Sequence, residues 1–144
     1  MNSATFSMTP RWSGWSLLSD RKGRLMEISA AIDLSEALSR VDGDRDLFLT
    51  LAGIFLEESP KEAAAARAAL QRQDGAGLAA AAHKLKGSVL EICAPRLFEC
   101  TKRLEDLGRR GQFSEASPVC EDVEVCLAEV QDALQKLIAE GCSS

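Results

Sequence analysis

Apolar residues recur every three or four positions along most of the chain, the spacing that gathers them on one face of an α-helix. Asp33 is placed to cap a short helix over Leu34–Val41, with Leu38 and Val41 facing inward and Gly43 ending it. Asp44 is placed to cap the next, where Leu47, Phe48, Leu51, Ile54 and Phe55 keep a helical period that resumes after Pro60 over Ala63–Leu70. A proline lacks the amide donor and crowds the preceding turn, so Pro60 predicts a bend or interruption, with Ser59 and Pro60 as N-cap and first turn of a renewed helix. The run Ala63–Ala66 needs no explanation beyond helix propensity.

Asp74-Gly75-Ala76-Gly77 reads as a break, followed by a helix to about Ile92. Leu78, Leu85 and Ile92 recur at intervals of seven there and, flanked by Ala81 and Val89, form an apolar stripe suited to a core. Pro95 forces a new start, after which Leu97, Cys100, Thr101, Leu104 and Leu107 trace one face as far as Gly108–Gly111. Ser117-Pro118 is expected to open a last helix whose inward stripe is Val119, Val123, Cys126, Val130, Leu134, Leu137 and Ile138, with Gly141 at its end.

Four substantial amphipathic helices on short connections favour antiparallel neighbours. The expected fold is therefore all-α: an antiparallel up-and-down four-helix bundle with a short additional N-terminal helix, occupying residues 27–144. Residues 1–26 read as a polar tail in which Trp12 and Trp15 either pack onto the bundle, the favoured reading, or mark a partner contact. Composition supports a helical fold, since 46% of the 144 residues are hydrophobic while only 5% are aromatic and tyrosine is absent. A chain of this length is one domain with a real core.

The formal net charge of -5 argues against nucleic acid or an anionic membrane as the main partner. No signal peptide or membrane span is visible in residues 1–20, so a soluble, cytoplasmic monomer is expected. Cys93, Cys100, Cys120, Cys126 and Cys142 are odd in number and show no CxxC pairing, which fits a reducing compartment. Cys93 and Cys100, seven apart, read as small apolar residues on one helix face rather than as redox groups. One histidine and no paired thiols leave no expected structural zinc site.

That histidine, His83, lies in the middle of the helix before Pro95. Each helical residue turns about 100°, so Ala76, Ala79, Ala80, Lys86, Gly87 and Leu90 share its side while Leu78, Leu85 and Ile92 lie opposite. His83 is therefore expected to point out of the bundle. Gly87, one turn on, has no side chain to shield the ring, although glycine within a helix costs roughly 1 kcal/mol relative to alanine. Lys86 is placed to pair with an anion held on the imidazole, a group that ordinarily titrates near neutrality and is a nucleophile when neutral. A histidine that receives a negatively charged group fits these neighbours.

The run His83, Leu85, Lys86, Gly87 and Ser88 resembles the His-x-Leu-Lys-Gly-Ser pattern of histidine-containing phosphotransfer (HPt) domains of bacterial multistep phosphorelays. Ala94, Leu97 and Leu104-Glu105 downstream, and Phe55 with Glu57-Glu58-Ser59-Pro60 upstream, also look like that family. The likeness covers roughly Ile32–Ile138, with Cys93 standing where members commonly carry glycine. The resemblance implies a phosphoryl carrier, not a kinase: His83 would accept a phosphoryl group from an aspartyl phosphate on one receiver domain and pass it to an aspartate on another. It implies that Lys86 stabilises the phosphoryl charge, Gly87 gives access and Glu105 orients the ring or holds Lys86. Ala79, Ala80, Lys84 and Leu90 would form the docking rim, Lys84 being the weaker candidate because it turns away from His83. The implied partners are receiver domains of response regulators and of hybrid sensor kinases. The chain would hold no cofactor of its own, with Mg²⁺ on the receiver. A non-catalytic adaptor that binds a receiver is the alternative, which the intact His83 argues against. A histidine kinase lacks support, because there is neither a Gly-rich nucleotide site nor length for an ATP-binding domain.

Overall fold

A computed structural model describes residues 31–140, and these are helical with short connections. Five helices follow one another: α1 (Leu34–Arg40), α2 (Arg45–Gln71), α3 (Gly75–Ile92), α4 (Pro95–Arg110) and α5 (Phe113–Ala139). Each of α2 to α5 packs on its sequence neighbour, and α2 against α5 closes the ring, which makes the antiparallel four-helix bundle, while α1 leans on α2 and α3. Trp12, Trp15, Gly141 and Cys142 lie outside the described residues.

The helix starts follow from local chemistry. Asp33, Asp44 and Asp74 each accept a hydrogen bond from the backbone amide three residues on, satisfying a donor that has no partner within its helix. Asp74 caps α3 through Gly77, so the Asp-Gly-Ala-Gly stretch is the first turn of the helix rather than a loop before it. Pro95 occupies the first turn of α4. Helix ends use left-handed backbone: Gly43 and Gly111 after α1 and α4, and Cys93 with φ +57° at the end of α3. A glycine would suit that last position better, and Cys93 is held there because its carbonyl accepts from the Asp33 amide at 2.8 Å.

The core is the inner stripe of every helix. Leu78, Leu85, Val89 and Ile92 of α3 are fully covered, together with Phe48, Leu97, Leu104, Val123 and Leu134. Several expectations need correction. Pro60 does not interrupt its helix, since α2 runs through it to Gln71; apolar side chains on both sides of Pro60 keep the segment docked despite the missing amide. Ser59 is accordingly no N-cap but a buried hydroxyl that accepts from Gln131 Nε2 at 3.3 Å. The last helix begins at Phe113, not at Ser117, so Pro118 sits inside it. Cys93 and Cys100 do not share a helix face, because the chain turns between them at Pro95 and Cys100 faces α5. Ile138, read as inward, is exposed, as are Leu47 and Ile54 within the helical period of α2; Leu38 and Val41, also read as inward, are half-buried.

Candidate functional site

The site is built on the seam between α3 and α4. Those helices approach closely because Gly108 carries no side chain: a Cβ there would lie 2.9 Å from the Ala79 amide nitrogen. The approach brings Glu105 of α4 beneath His83 and Lys86 of α3. His83 projects from α3 with 65% of its side chain exposed, while Glu105 is 2% exposed.

Three donors converge on that carboxylate. His83 Nδ1 lies 3.0 Å from Oε2, Lys86 Nζ lies 2.7 Å from Oε1, and the Arg109 guanidinium, one turn further along α4, also reaches Oε2. Burial alone pushes the Glu105 carboxyl upward, but hydrogen bonds from Lys86 and His83 and the charges of Lys86 and Arg109 outweigh it and hold the group below its ordinary value. An ionised carboxylate only accepts, so the proton of the His83–Glu105 bond belongs to Nδ1. In the neutral ring the lone pair then sits on Nε2, the outer nitrogen.

Gly87 faces open space, since a Cβ built there would meet nothing within 4 Å. The bundle itself has no packing need for glycine at this position, which is exposed. Ala80 and Lys84 are exposed, and Leu90 shows 38% exposure. Ala79, expected on the rim, is instead covered at 9% exposure, because it is the residue against which Gly108 packs. Lys86 is also less open than its helix position suggests: its side chain is 23% exposed and its ammonium is already paired with Glu105.

Two features were missed in the sequence. Arg109 lies four residues after Glu105, a helical ion-pair spacing visible in the sequence, yet its share in the histidine's carboxylate depends on how α3 and α4 meet. Glu62 of α2 is buried and accepts from Ser88 Oγ at 3.3 Å, so Ser88 ties α3 to α2. An open cleft of about 320 Å³ beside Glu105 is lined by Lys86, Lys102, Arg103 and Arg109 together with Glu99, Glu105 and Asp106. Cations outnumber carboxylates there, so this flank is locally positive in a chain of net charge -5.

These features define a class: a helical bundle that presents a histidine from a helix face, steadied from below by a carboxylate. The Hpt domain model matches residues 50–140, and the chain belongs to that family, with its histidine phosphotransfer role in phosphorelays. The crystal structure of histidine-containing phosphotransfer protein B (HptB) from Pseudomonas aeruginosa PAO1 is similar at 27% identity and a TM-score of 0.69, over 74% of this chain and 92% of that one. No curated protein matches the chain. The family match begins at Thr50, so α1 and the first turn of α2 lie outside it. No helix among the described residues is long and apolar enough to cross a membrane.

Proposed function

We propose that His83 is the phosphorylated residue, that Nε2 is the nitrogen modified, and that the chain relays a phosphoryl group between aspartates of receiver domains. The observation that carries this reading is the exposed imidazole whose Nδ1 rests on buried Glu105. In the forward step the Nε2 lone pair attacks the phosphorus of an aspartyl phosphate on the partner. The P–N bond forms, the P–O bond to the aspartate breaks, and the aspartate leaves as a carboxylate. The Nδ1 proton stays in place, and Glu105 stabilises the positive charge that the ring gains.

Lys86 and Arg109 stand ready for the charge that arrives. Both are held by Glu105, and both can turn toward phosphoryl oxygens at the cost of weakening that contact. Gly87 leaves room for the receiver, and Ala80, Lys84 and Leu90 surround the point of contact. Phosphoryl transfer needs in-line access and charge stabilisation more than covalent machinery, which a convex surface can supply. The Mg²⁺ would be the receiver's contribution, as would the acceptor aspartate.

The test is to incubate the purified chain with a receiver domain phosphorylated on aspartate in the presence of Mg²⁺. Wild type is expected to gain acid-labile label, and His83→Gln, with its helical spectrum and melting temperature preserved, none. Label retained by the variant would remove the assignment. A wild-type chain that binds the receiver but stays unlabelled would favour the adaptor reading instead.

A further inference from the structure

The seam between α4 and α5, on a different face of α4 from the Glu105 cluster, brings together two cysteines that are 26 residues apart in sequence. Cys100 Sγ of α4 and Cys126 Sγ of α5 lie 3.9 Å apart, in direct contact. Cys100 is half-buried, which leaves a path for a small reagent, while Cys126 is covered. We propose that Cys100 and Cys126 are an oxidisable dithiol, a modification site for hydrogen peroxide whose product is a disulfide that staples α4 to α5.

The pair is distinguished from the other thiols by its surroundings. Burial pushes the Cys93 and Cys120 thiols up, away from the reactive thiolate form. Cys126 is drawn down, chiefly by its hydrogen-bond contact with Cys100 and also by the Arg96 guanidinium, against burial and the carboxylates of Glu129 and Asp122. Cys100 is pushed up by its contact with Cys126 and by partial burial. The two sulfurs in contact can divide the work of a disulfide-forming pair, one as the thiolate and the other as the resolving thiol, with half-buried Cys100 giving peroxide its access to the pair.

The chemistry balances with peroxide as the oxidant. The thiolate of one of the pair attacks one peroxide oxygen, the O–O bond breaks, and the products are a sulfenic acid on that cysteine and hydroxide, which takes up the proton the thiol had released. The sulfur of the other then attacks the sulfenic sulfur, the S–O bond breaks, and water leaves with that thiol's proton. Two thiols and one peroxide become one disulfide and two waters. A bonded pair sits at about 2.05 Å, so the sulfurs must close by roughly 2 Å through side-chain rotation and a small shift of the helices. The bridge would close a loop holding the whole α4–α5 turn, and so restrict the unfolded chain. The inference is independent of the phosphotransfer reading.

The experiment treats the reduced full-length chain with a small excess of hydrogen peroxide and follows intact mass, non-reducing peptide mapping and thermal unfolding. Expected are a loss of two hydrogen atoms, a linked peptide joining Cys100 to Cys126, and a melting temperature raised by about 5 °C or more and restored by dithiothreitol. In Cys100→Ser and in Cys126→Ser no bridge can form, so the melting temperature is expected to stay unchanged by peroxide and the remaining sulfur, left without a resolving partner, to stop at a sulfenic acid captured by dimedone. A bridge mapped to Cys93, Cys120 or Cys142, or separate sulfinic acids without a linked peptide, would overturn the proposal. A mapped Cys100–Cys126 bridge with no rise in melting temperature would overturn the staple.

Discussion

A carboxylate with 2% exposure is costly to bury alone, and Glu105 is tolerated because His83, Lys86 and Arg109 all reach it from the solvent side. Its carboxyl titrates below the ordinary value of 4.5, so the folded protein releases that proton more readily than the unfolded chain does. The resulting stability is fully present above the ordinary carboxylate value and is lost as pH falls through the lower folded value. Glu105→Gln is accordingly expected to be less stable than wild type by about 1–2 kcal/mol at pH 7. The gap should narrow steadily between pH 5 and pH 3 when both are unfolded in urea; a gap unchanged at pH 3 would mean that charge is not its source. Glu62 behaves with the opposite sign, since burial pushes its carboxyl up despite the Ser88 hydrogen bond and the nearby Lys84 charge. Of this cluster, the outward direction of His83 followed from helical spacing, and Glu105 was placed through the family pattern. That Lys86 is largely covered and that Arg109 joins the carboxylate did not follow, because both depend on the distance between two helices.

That distance is set where α3 crosses α4. A Cβ at Gly75 would lie 2.6 Å from the Gly108 carbonyl oxygen, and one at Gly108 would lie 3.1 Å from the Leu78 side chain as well as close to Ala79. Gly108→Val is expected to push the helices apart, costing about 1–3 kcal/mol and slowing phosphoryl acceptance by drawing Glu105 away from His83. Paired measurements of melting temperature and labelling rate would check it; a stable variant with normal labelling would show that the close approach is dispensable. The two prolines teach a complementary lesson about helices. Pro60 and Pro118 each look like a start when read locally, yet both lie inside long helices. Loss of one backbone bond and the ring clash cost about 3 kcal/mol or more, and α2 and α5 bury apolar side chains on both sides of the proline that outweigh it. Pro95, at the first turn of α4, has no such conflict to resolve.

The bundle is closed by a contact that joins its first and last long helices. Arg67 of α2 donates through Nε and Nη2 to the two carboxylate oxygens of Glu124 on α5, at 3.0 and 2.7 Å. Both side chains are partly exposed, so a double-mutant cycle of Arg67→Met and Glu124→Gln, read by urea unfolding, is expected to give a coupling of about 0.5–1 kcal/mol that shrinks in high salt. A coupling near zero would leave closure to apolar packing alone. At the opposite corner α1 ties down the end of α3: the Asp33 amide donates to the Cys93 carbonyl, and Arg40 Nη1 donates to the Leu90 carbonyl at 3.0 Å. The helical class, the number of long helices, most of their apolar stripes and the outward histidine were determined by the sequence itself. They rest on periodicity and caps, which act within a few residues along the chain. The shared carboxylate under His83, the covering of Ala79, the passage of helices through Pro60 and Pro118 and the meeting of Cys100 with Cys126 were decided only by tertiary structure. Each depends on how closely two helices approach and which faces they turn to one another, and that is settled by packing between residues far apart in sequence.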